Sequence, residues 1–309
     1  MATLRVATCQ FPVSSDVDAN HAWVRRQIET AVERGADVAH FPEGALSGYA
    51  GTDFASFDGF EWDRLRDAAD QVRALARQLG VWVVVGSAHR LRPPHKPHNS
   101  VYVINGAGDV VDRYDKRFCS GDPDGRSGDL AHYAPGDHHS TWDINGITCG
   151  ALICHDYRYP ELYRAYKRHG VDVVFHSFHA ANAPREQVEA IGAAIGPALR
   201  TLNPAPTFTY PGLTMPATMT AAAASSHVWI SCSNSSARES MWPAFFLRAD
   251  GITIGRLRRN APGVLVSTVD TEQEIYDSTA SWRDRAMEGF LHSGTLPRDD
   301  DRSANRTAL

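Results

Sequence analysis

The sequence has few cysteines and no paired ones. Its five, Cys9, Cys119, Cys149, Cys154 and Cys232, are odd in number and form no CxxC, so neither a disulfide framework nor a thiolate zinc site is indicated and a reducing cytoplasm is the expected compartment. An excess of basic charge is also missing. Lys and Arg number 31 against 36 Asp and Glu, a net charge of -5 with no basic stripe, which argues against nucleic acid as a partner. No apolar run reaches membrane-spanning length, and the first residues lack a basic n-region followed by an apolar h-region, so neither a membrane partner nor processing is expected. With 24 Gly and 17 Pro the usage is near average, which excludes collagen-like and low-complexity chains. What remains is an ordinary globular mixture, 43% hydrophobic and 22% charged over 309 residues, with ample length for a sizeable core.

Two periods alternate along the first half. Leu4 to Gln10 reads as a strand, and Val24, Ile28, Ala31 and Val32 recur at helical spacing until Gly35. Asp37 to Pro42 is the next strand. Leu65, Ala69, Val72, Leu75, Ala76 and Leu79 mark a helix over 63–79 that Gly80 stops before the buried run 81–85. The runs flanking Asn105-Gly-Ala-Gly-Asp109 and Asn145-Gly146 read as hairpins, and hairpins between crossover units predict a mixed α/β sheet. The second half resumes with strand 147–154, helix 160–169 and strand 171–178. Residues 180–216 carry Pro184, Pro197, Pro204, Pro206, Pro211 and Pro216 and read as a long covering loop around one short helix, 186–195. A helix over 217–226, a strand over 227–233, a hairpin turning at Asp250-Gly251 and a strand over 264–269 follow. No linker or repeat intervenes, so residues 1–297 read as a single domain and the tail 298–309, without apolar anchors, as disordered.

Three strand ends carry reactive side chains. Glu43 follows a buried strand and Pro42, Lys116 ends a hairpin strand, and Cys154 ends an apolar strand just before a helix whose start Pro160 marks. A thiol at a strand-to-helix turn meets the positive end of the helix dipole and free backbone N–H groups, which favour the thiolate and can hold an oxyanion. Alone, each residue reads as an ordinary buried thiol or rim charge; base, cation and nucleophile together on strand ends change the weighing. The 14 histidines include His95 and His98, His138-His139 and His176-x-x-His179, but without HExxH or paired cysteines they specify no metal site.

Taken together, these segments resemble the amidase-like branch of the nitrilase superfamily of carbon–nitrogen hydrolases. Phe41-Pro-Glu-Gly-Ala-Leu-Ser-Gly-Tyr49 matches its first motif, Tyr114-Asp-Lys116 its second and Cys154-His-Asp-Tyr-Arg-Tyr-Pro-Glu161 its third. Gln10, Asn20, Gly86, Asn99 and the Asp250-Gly251 hairpin fall in family-like places, and the resemblance covers about residues 3 to 270. It implies a four-layer α-β-β-α sandwich. It also implies Cys154 as nucleophile, Glu43 as general base, and Lys116 with the His155 backbone N–H as oxyanion donors. Asp129 stands where many members carry a second Glu and is carried over as a support for Lys116. Tyr49, His176 and His179 are read as substrate-binding residues of the pocket, and Arg158 and Glu161 as braces of the nucleophile loop.

The activity so implied is cysteine-dependent hydrolysis of a small linear amide or N-carbamoyl compound through a thioester acyl-enzyme, with release of ammonia or an amine and without metal or cofactor. The partners are that small molecule, water and a second copy of the chain. A homodimer would form through the helix at 160–169, to which Tyr159, Leu162, Tyr163 and Tyr166 give an apolar face. Nitrile hydrolysis is disfavoured, because His155-Asp156 replaces the Trp-Glu of true nitrilases. Amine acyl transfer by the same triad, or a silent binding or scaffold role, stays open at this stage. Ala221-Ala-Ala-Ala-Ser-Ser-His227 replaces the usual Ala-Arg-Ala and Glu-Asn segment, so the resemblance does not name the substrate.

Overall fold

A computed structural model describes residues 2–193, 195–203 and 209–307. The first half carries β1 (Thr3–Gln10), α1 (Val17–Glu33), β2 (Val38–His40), α2 (Trp62–Leu79), β3 (Trp82–His89), β4 (His98–Ile104) and β5 (Val110–Asp115). The next stretch carries β6 (Thr141–Ile144), β7 (Ile147–Ile153), α3 (Pro160–Arg168), β8 (Val173–Ser177), α4 (Arg185–Ala193) and α5 (Pro197–Arg200). The last carries α6 (Tyr210–Ser226), β9 (Trp229–Ser233), β10 (Phe245–Leu247), β11 (Thr253–Arg256), β12 (Gly263–Asp270), α7 (Arg283–Met287) and α8 (Asp301–Ala304). Among the described residues the strands make two six-stranded sheets, ordered β12-β1-β2-β3-β4-β5 and β11-β10-β9-β8-β7-β6. Both are mixed: β1, β2 and β3 run parallel in one, β7, β8 and β9 in the other, and their flanking strands pair antiparallel.

The period of two along each strand builds the layers. On β1, Leu4 and Val6 join Val84, Val101 and Tyr114 in a core shared with the second sheet, while Ala7 and Cys9 join Val83, Val85 and the inner faces of α1 and α2. Leu162, Tyr163 and Tyr166 of α3 are buried in the chain's own core with Met215 and Met219 of α6. The result is helices, sheet, sheet, helices. Among the described residues no helix is long and apolar enough to cross a membrane.

The local signals act as their chemistry requires. Gly80 caps α2 at φ +66°, and Asn145 (φ 56°) and Gly146 (φ 81°) turn the β6–β7 hairpin. The reading of 180–216 as mostly loop needs correction. Besides α4 it holds α5, and α6 begins at Tyr210 rather than at 217, with the Thr209 hydroxyl accepting from the Gly212 N–H at 3.1 Å. Proline misleads here because Pro211 sits in the first turn, where no donor is missed, and Pro216 in the second, where a single bond is forfeited. Pro204 and Pro206 of that stretch lie outside the described residues.

A polar seam crosses between the sheets. The Thr8 hydroxyl pairs with that of Ser231 at 2.7 Å, and Ser231 Oγ lies 2.8 Å from His40 Nδ1. His40 Nε2 reaches Ser177 Oγ at 3.0 Å, and that hydroxyl donates to the Phe41 carbonyl at 2.9 Å. The last donation makes Ser177 the acceptor of His40 Nε2–H, and in the neutral imidazole Nδ1 then accepts from Ser231. Burial agrees, pulling the His40 pKa down to about 3. A second constraint lies on β3. A Cβ added at Gly86 would stand 2.2 Å from the Pro42 carbonyl oxygen and 2.9 Å from Glu43 Cα, so only glycine lets the segment after β2 lie across β3.

Two outcomes follow. Gly86→Ala is expected to lower the urea-unfolding free energy by about 1–3 kcal/mol, because the clash is with backbone. For His40, the folded value lies below the unfolded one, so the unfolded chain binds a proton that the folded chain refuses. This contribution is fully present above the ordinary histidine value of about 6.5 and drains away as pH falls toward 3. His40→Gln should flatten the fall of unfolding free energy between those limits by up to about 1.4 kcal/mol per pH unit. An unchanged slope in urea titrations at stepped pH would show that His40 does not carry it.

Candidate active site

The exits of β2, β5, β7 and β8 lie on one edge of the two sheets, and the fold brings their side chains together. Glu43, Lys116 and Asp129 are each no more than 2% exposed. Lys116 Nζ donates to Glu43 Oε1 at 2.9 Å and lies 2.7 Å from Asp129 Oδ2. Glu43 is fixed at both oxygens: Asn99 Nδ2 donates to Oε1 at 2.7 Å and the His179 backbone N–H donates to Oε2 at 2.9 Å. Its own N–H donates to the Phe178 carbonyl at 3.2 Å, which ties the β2 exit to the β8 exit across the sheets. Asp129 is held by the Ser120 N–H at 2.8 Å and by the Tyr49 hydroxyl.

Burial alone would strip Lys116 and Asp129 of charge; the attraction of opposite neighbours overrides it. Lys116 loses from desolvation, yet Asp129 and Glu43 hold its pKa well above the usual lysine range. Burial pushes Asp129 up, but the Lys116 charge and hydrogen bond, with the bonds from Tyr49 and Ser120, leave it below the usual carboxylate range.

Cys154 follows β7 with φ +40°, a left-handed conformation that strains a non-glycine residue by about 1–3 kcal/mol. It opens a five-residue 3-10 turn, Cys154–Arg158, before α3 begins, so the thiol does not face the α-helix N-terminus directly. Two clamps hold the strain. His176 Nε2–H donates to the Cys154 carbonyl at 3.1 Å, its Nδ1 accepting from Tyr163 at 2.6 Å. Asp156 accepts from the Ile153 N–H (3.0 Å), the Phe118 N–H (2.8 Å) and the Tyr114 hydroxyl (2.8 Å), and burial pushes its pKa up to about 6. Arg158, expected as a brace through Glu161, instead lies with its guanidinium 5.0 Å from the Tyr157 ring centre. The resting thiol also differs from expectation. Burial, then the charge of the neighbouring Glu43, push its pKa well above the ordinary cysteine value against the pull of Lys116. A neutral thiol beside a carboxylate needs that carboxylate as a base.

The remaining expected residues sit around this group. His155 Nδ1–H donates to the Phe118 carbonyl at 3.2 Å. The Tyr49 ring stacks on the His179 imidazole, with centroids 5.3 Å apart and planes at 11°, and Lys116 Nζ lies 5.8 Å from the Tyr49 ring centre. His179 Nε2 lies 3.0 Å from Asp53 Oδ2. Asp53 carries no motif signal: it is one acid in an aromatic loop, visible only once His179 meets it. Asn99 falls in a family-like place in the sequence, and its bond to Glu43 Oε1 gives that place a role the sequence did not name. Among the described residues no group of three His, Cys, Asp or Glu is gathered as metal ligands.

Comparison with known proteins identifies the family and the fold. The profile of the carbon–nitrogen hydrolase family matches residues 5–275. The chain is 27% identical over 184 residues to deaminated glutathione amidase of Yersinia enterocolitica, covering 56% of this chain and 62% of that one. It is 26% identical over 187 residues to N-carbamoylputrescine amidase of Arabidopsis thaliana, covering 59% and 60%. The chain thus spans about three-fifths of the length of these curated relatives. Among solved structures, an amidase from Nesterenkonia sp. superposes with a TM-score of 0.69 at 19% identity, covering 93% of this chain and 96% of that one. A mutant of the amidase from Nesterenkonia sp. AN1, described as showing covalent addition of the acetamide moiety of fluoroacetamide at the active-site cysteine, superposes equally well (TM-score 0.69, 19% identity, 93% and 97% covered). Such a likeness establishes the fold, and the family profile extends over most of the sequence. The chain belongs to the carbon–nitrogen hydrolase family.

Proposed function

We propose that this chain hydrolyses a small linear amide or N-carbamoyl compound through a thioester formed on Cys154. The observation that carries the reading is one buried carboxylate, Glu43, bonded to the Lys116 ammonium at 2.9 Å and to Asn99 Nδ2 at 2.7 Å, with its charge acting on the neighbouring Cys154 thiol. Glu43 takes the thiol proton as sulfur attacks the carbonyl carbon and the carbonyl electrons move onto oxygen. Two of the three Lys116 N–H donors engage Glu43 and Asp129; the third, with the His155 N–H, meets the oxyanion. Glu43 returns the proton to the departing nitrogen, releasing ammonia or an amine. It then takes a proton from water, whose oxygen attacks the thioester; the acid leaves and the thiol recovers its proton. The names of the relatives, amidases of a deaminated glutathione and of a carbamoyl compound, support that range of substrates. Five free cysteines suit a cytoplasmic setting; the apolar face of α3 on which a homodimer was expected is spent on the chain's own core.

Screening amides, carbamoyl amino acids and ureas by ammonia release tests the class. Cys154→Ala and Cys154→Ser are expected to abolish turnover with the thermal transition retained, whereas changes at Cys9, Cys119, Cys149 or Cys232 affect stability at most. Lys116→Ala and Glu43→Gln should each lower the rate by roughly a hundredfold or more, and Asp129→Asn by less. Near-normal rates would remove the residue from the chemistry.

The intermediate has its own signature. Hydroxylamine added during turnover should yield a hydroxamate, and an acid quench should leave an acyl adduct confined to the peptide carrying Cys154. Neither product across the amide and carbamoyl panel, with nitriles converted to acids, would replace this reading by nitrile hydrolysis.

A further inference from the structure

Outside the three groups assigned to bond making, the site holds a second buried contact between an acid and an imidazole. His179 Nε2 and Asp53 Oδ2 are 3.0 Å apart, with both side chains no more than 1% exposed. Asp53 is tied down from two sides, by the Tyr49 N–H at 2.9 Å and Asn182 Nδ2 at 2.7 Å. His179 touches the machinery twice: its backbone N–H holds Glu43 Oε2, and its ring stacks on Tyr49, whose hydroxyl bonds Asp129.

We propose that Asp53 and His179 act as a positioning pair for Glu43, fixing the carboxylate through the His179 main chain and offsetting, with the imidazolium, the negative charge that Asp53 brings beside it. This rests on the reading of Glu43 as the base. The charges around it make the case. Glu43 faces Lys116 from the end of β5, Asp129 from the turn after Ser127 and Cys154 from the end of β7. Its charge also reaches Tyr49, Tyr133 and Cys119, all of which stay protonated. Three carboxylates therefore share the site with Lys116 as the other cation. A neutral His179 would leave Asp53 as an uncompensated buried anion, and breaking a buried pair on one side is far more damaging than removing both partners. The direction of the His179 pKa agrees: burial pulls it down, but Asp53 outweighs burial and raises it above the ordinary histidine value.

The test reads Cys154 alkylation by chloroacetone, which has no carbon–nitrogen bond to hydrolyse, as a function of pH. In that reaction sulfur displaces chloride, Glu43 removes the thiol proton, and the mass of the peptide carrying Cys154 reports the adduct without knowledge of the natural substrate. His179→Gln keeps the main-chain donor but strands the Asp53 charge. The acid limb of its profile should move up by about one pH unit or more, with alkylation slowed roughly tenfold. Adding Asp53→Asn should bring limb and rate back toward the wild type, which a merely structural role would not do. A His179→Gln limb at the wild-type pH, or a double variant slower than His179→Gln, overturns the pair. Glu43→Gln should still alkylate, with the acid limb gone; a limb that survives there sinks the base assignment rather than the pair. Should either variant fail to fold, the imidazole nitrogen shifts of His179 in the wild-type protein decide: a titration midpoint above about 6.5 upholds the proposal, and one at or below it overturns it.

Discussion

A lysine that is 1% exposed, held between two carboxylates, is the constraint on which this molecule turns. An ammonium in a dry interior is tolerable only if paired and hydrogen-bonded, and Lys116 meets that condition with partners from distant parts of the chain. Glu43 arrives from the segment after β2, Asp129 from a turn after β5, and each must be placed to within hydrogen-bonding distance. Much of the surrounding architecture answers to this demand. Gly86 lets the Glu43 segment lie on β3, Asn99 and the His179 N–H aim its oxygens, and Ser120 and Tyr49 aim those of Asp129.

The thiol is handled by the opposite logic. Burial and a negative neighbour raise the Cys154 pKa, so the resting thiol stays protonated. What the fold supplies there is conformation: a left-handed backbone at Cys154, clamped by His176 at the carbonyl and by Asp156 around the turn. Neutral His176 and His40 share a design, each ring fixed at both nitrogens so that no buried donor or acceptor is left over.

Much of this was legible from residue order because strand ends, turn residues and motif acids act locally. The Asn145-Gly146 hairpin, the Gly80 cap and the clustering of Glu43, Lys116 and Cys154 at strand exits are of that kind. Two kinds of feature were not legible. Proline in α6 looks like a loop signal, since position within a helix, and not composition, decides its cost. Pairings such as Asp53 with His179, or His40 with Ser177 and Ser231, join residues far apart in sequence with no periodicity to announce them. The thiol's protonation depends on the same long-range assembly; a helix-dipole argument from the local sequence predicts the opposite sign.

The pairing of β1 with β12 along its whole length, Thr3↔Asp270 through Gln10↔Gly263, has a consequence in time rather than in space. As the chain leaves the ribosome, β1 can find β2 almost at once, but its other edge has no mate until residue 270 is made. Through most of synthesis that edge is an open row of backbone donors and acceptors, the kind of surface on which another chain can add a strand. Among the described strands, closure of the first sheet is therefore the last pairing in the order of synthesis.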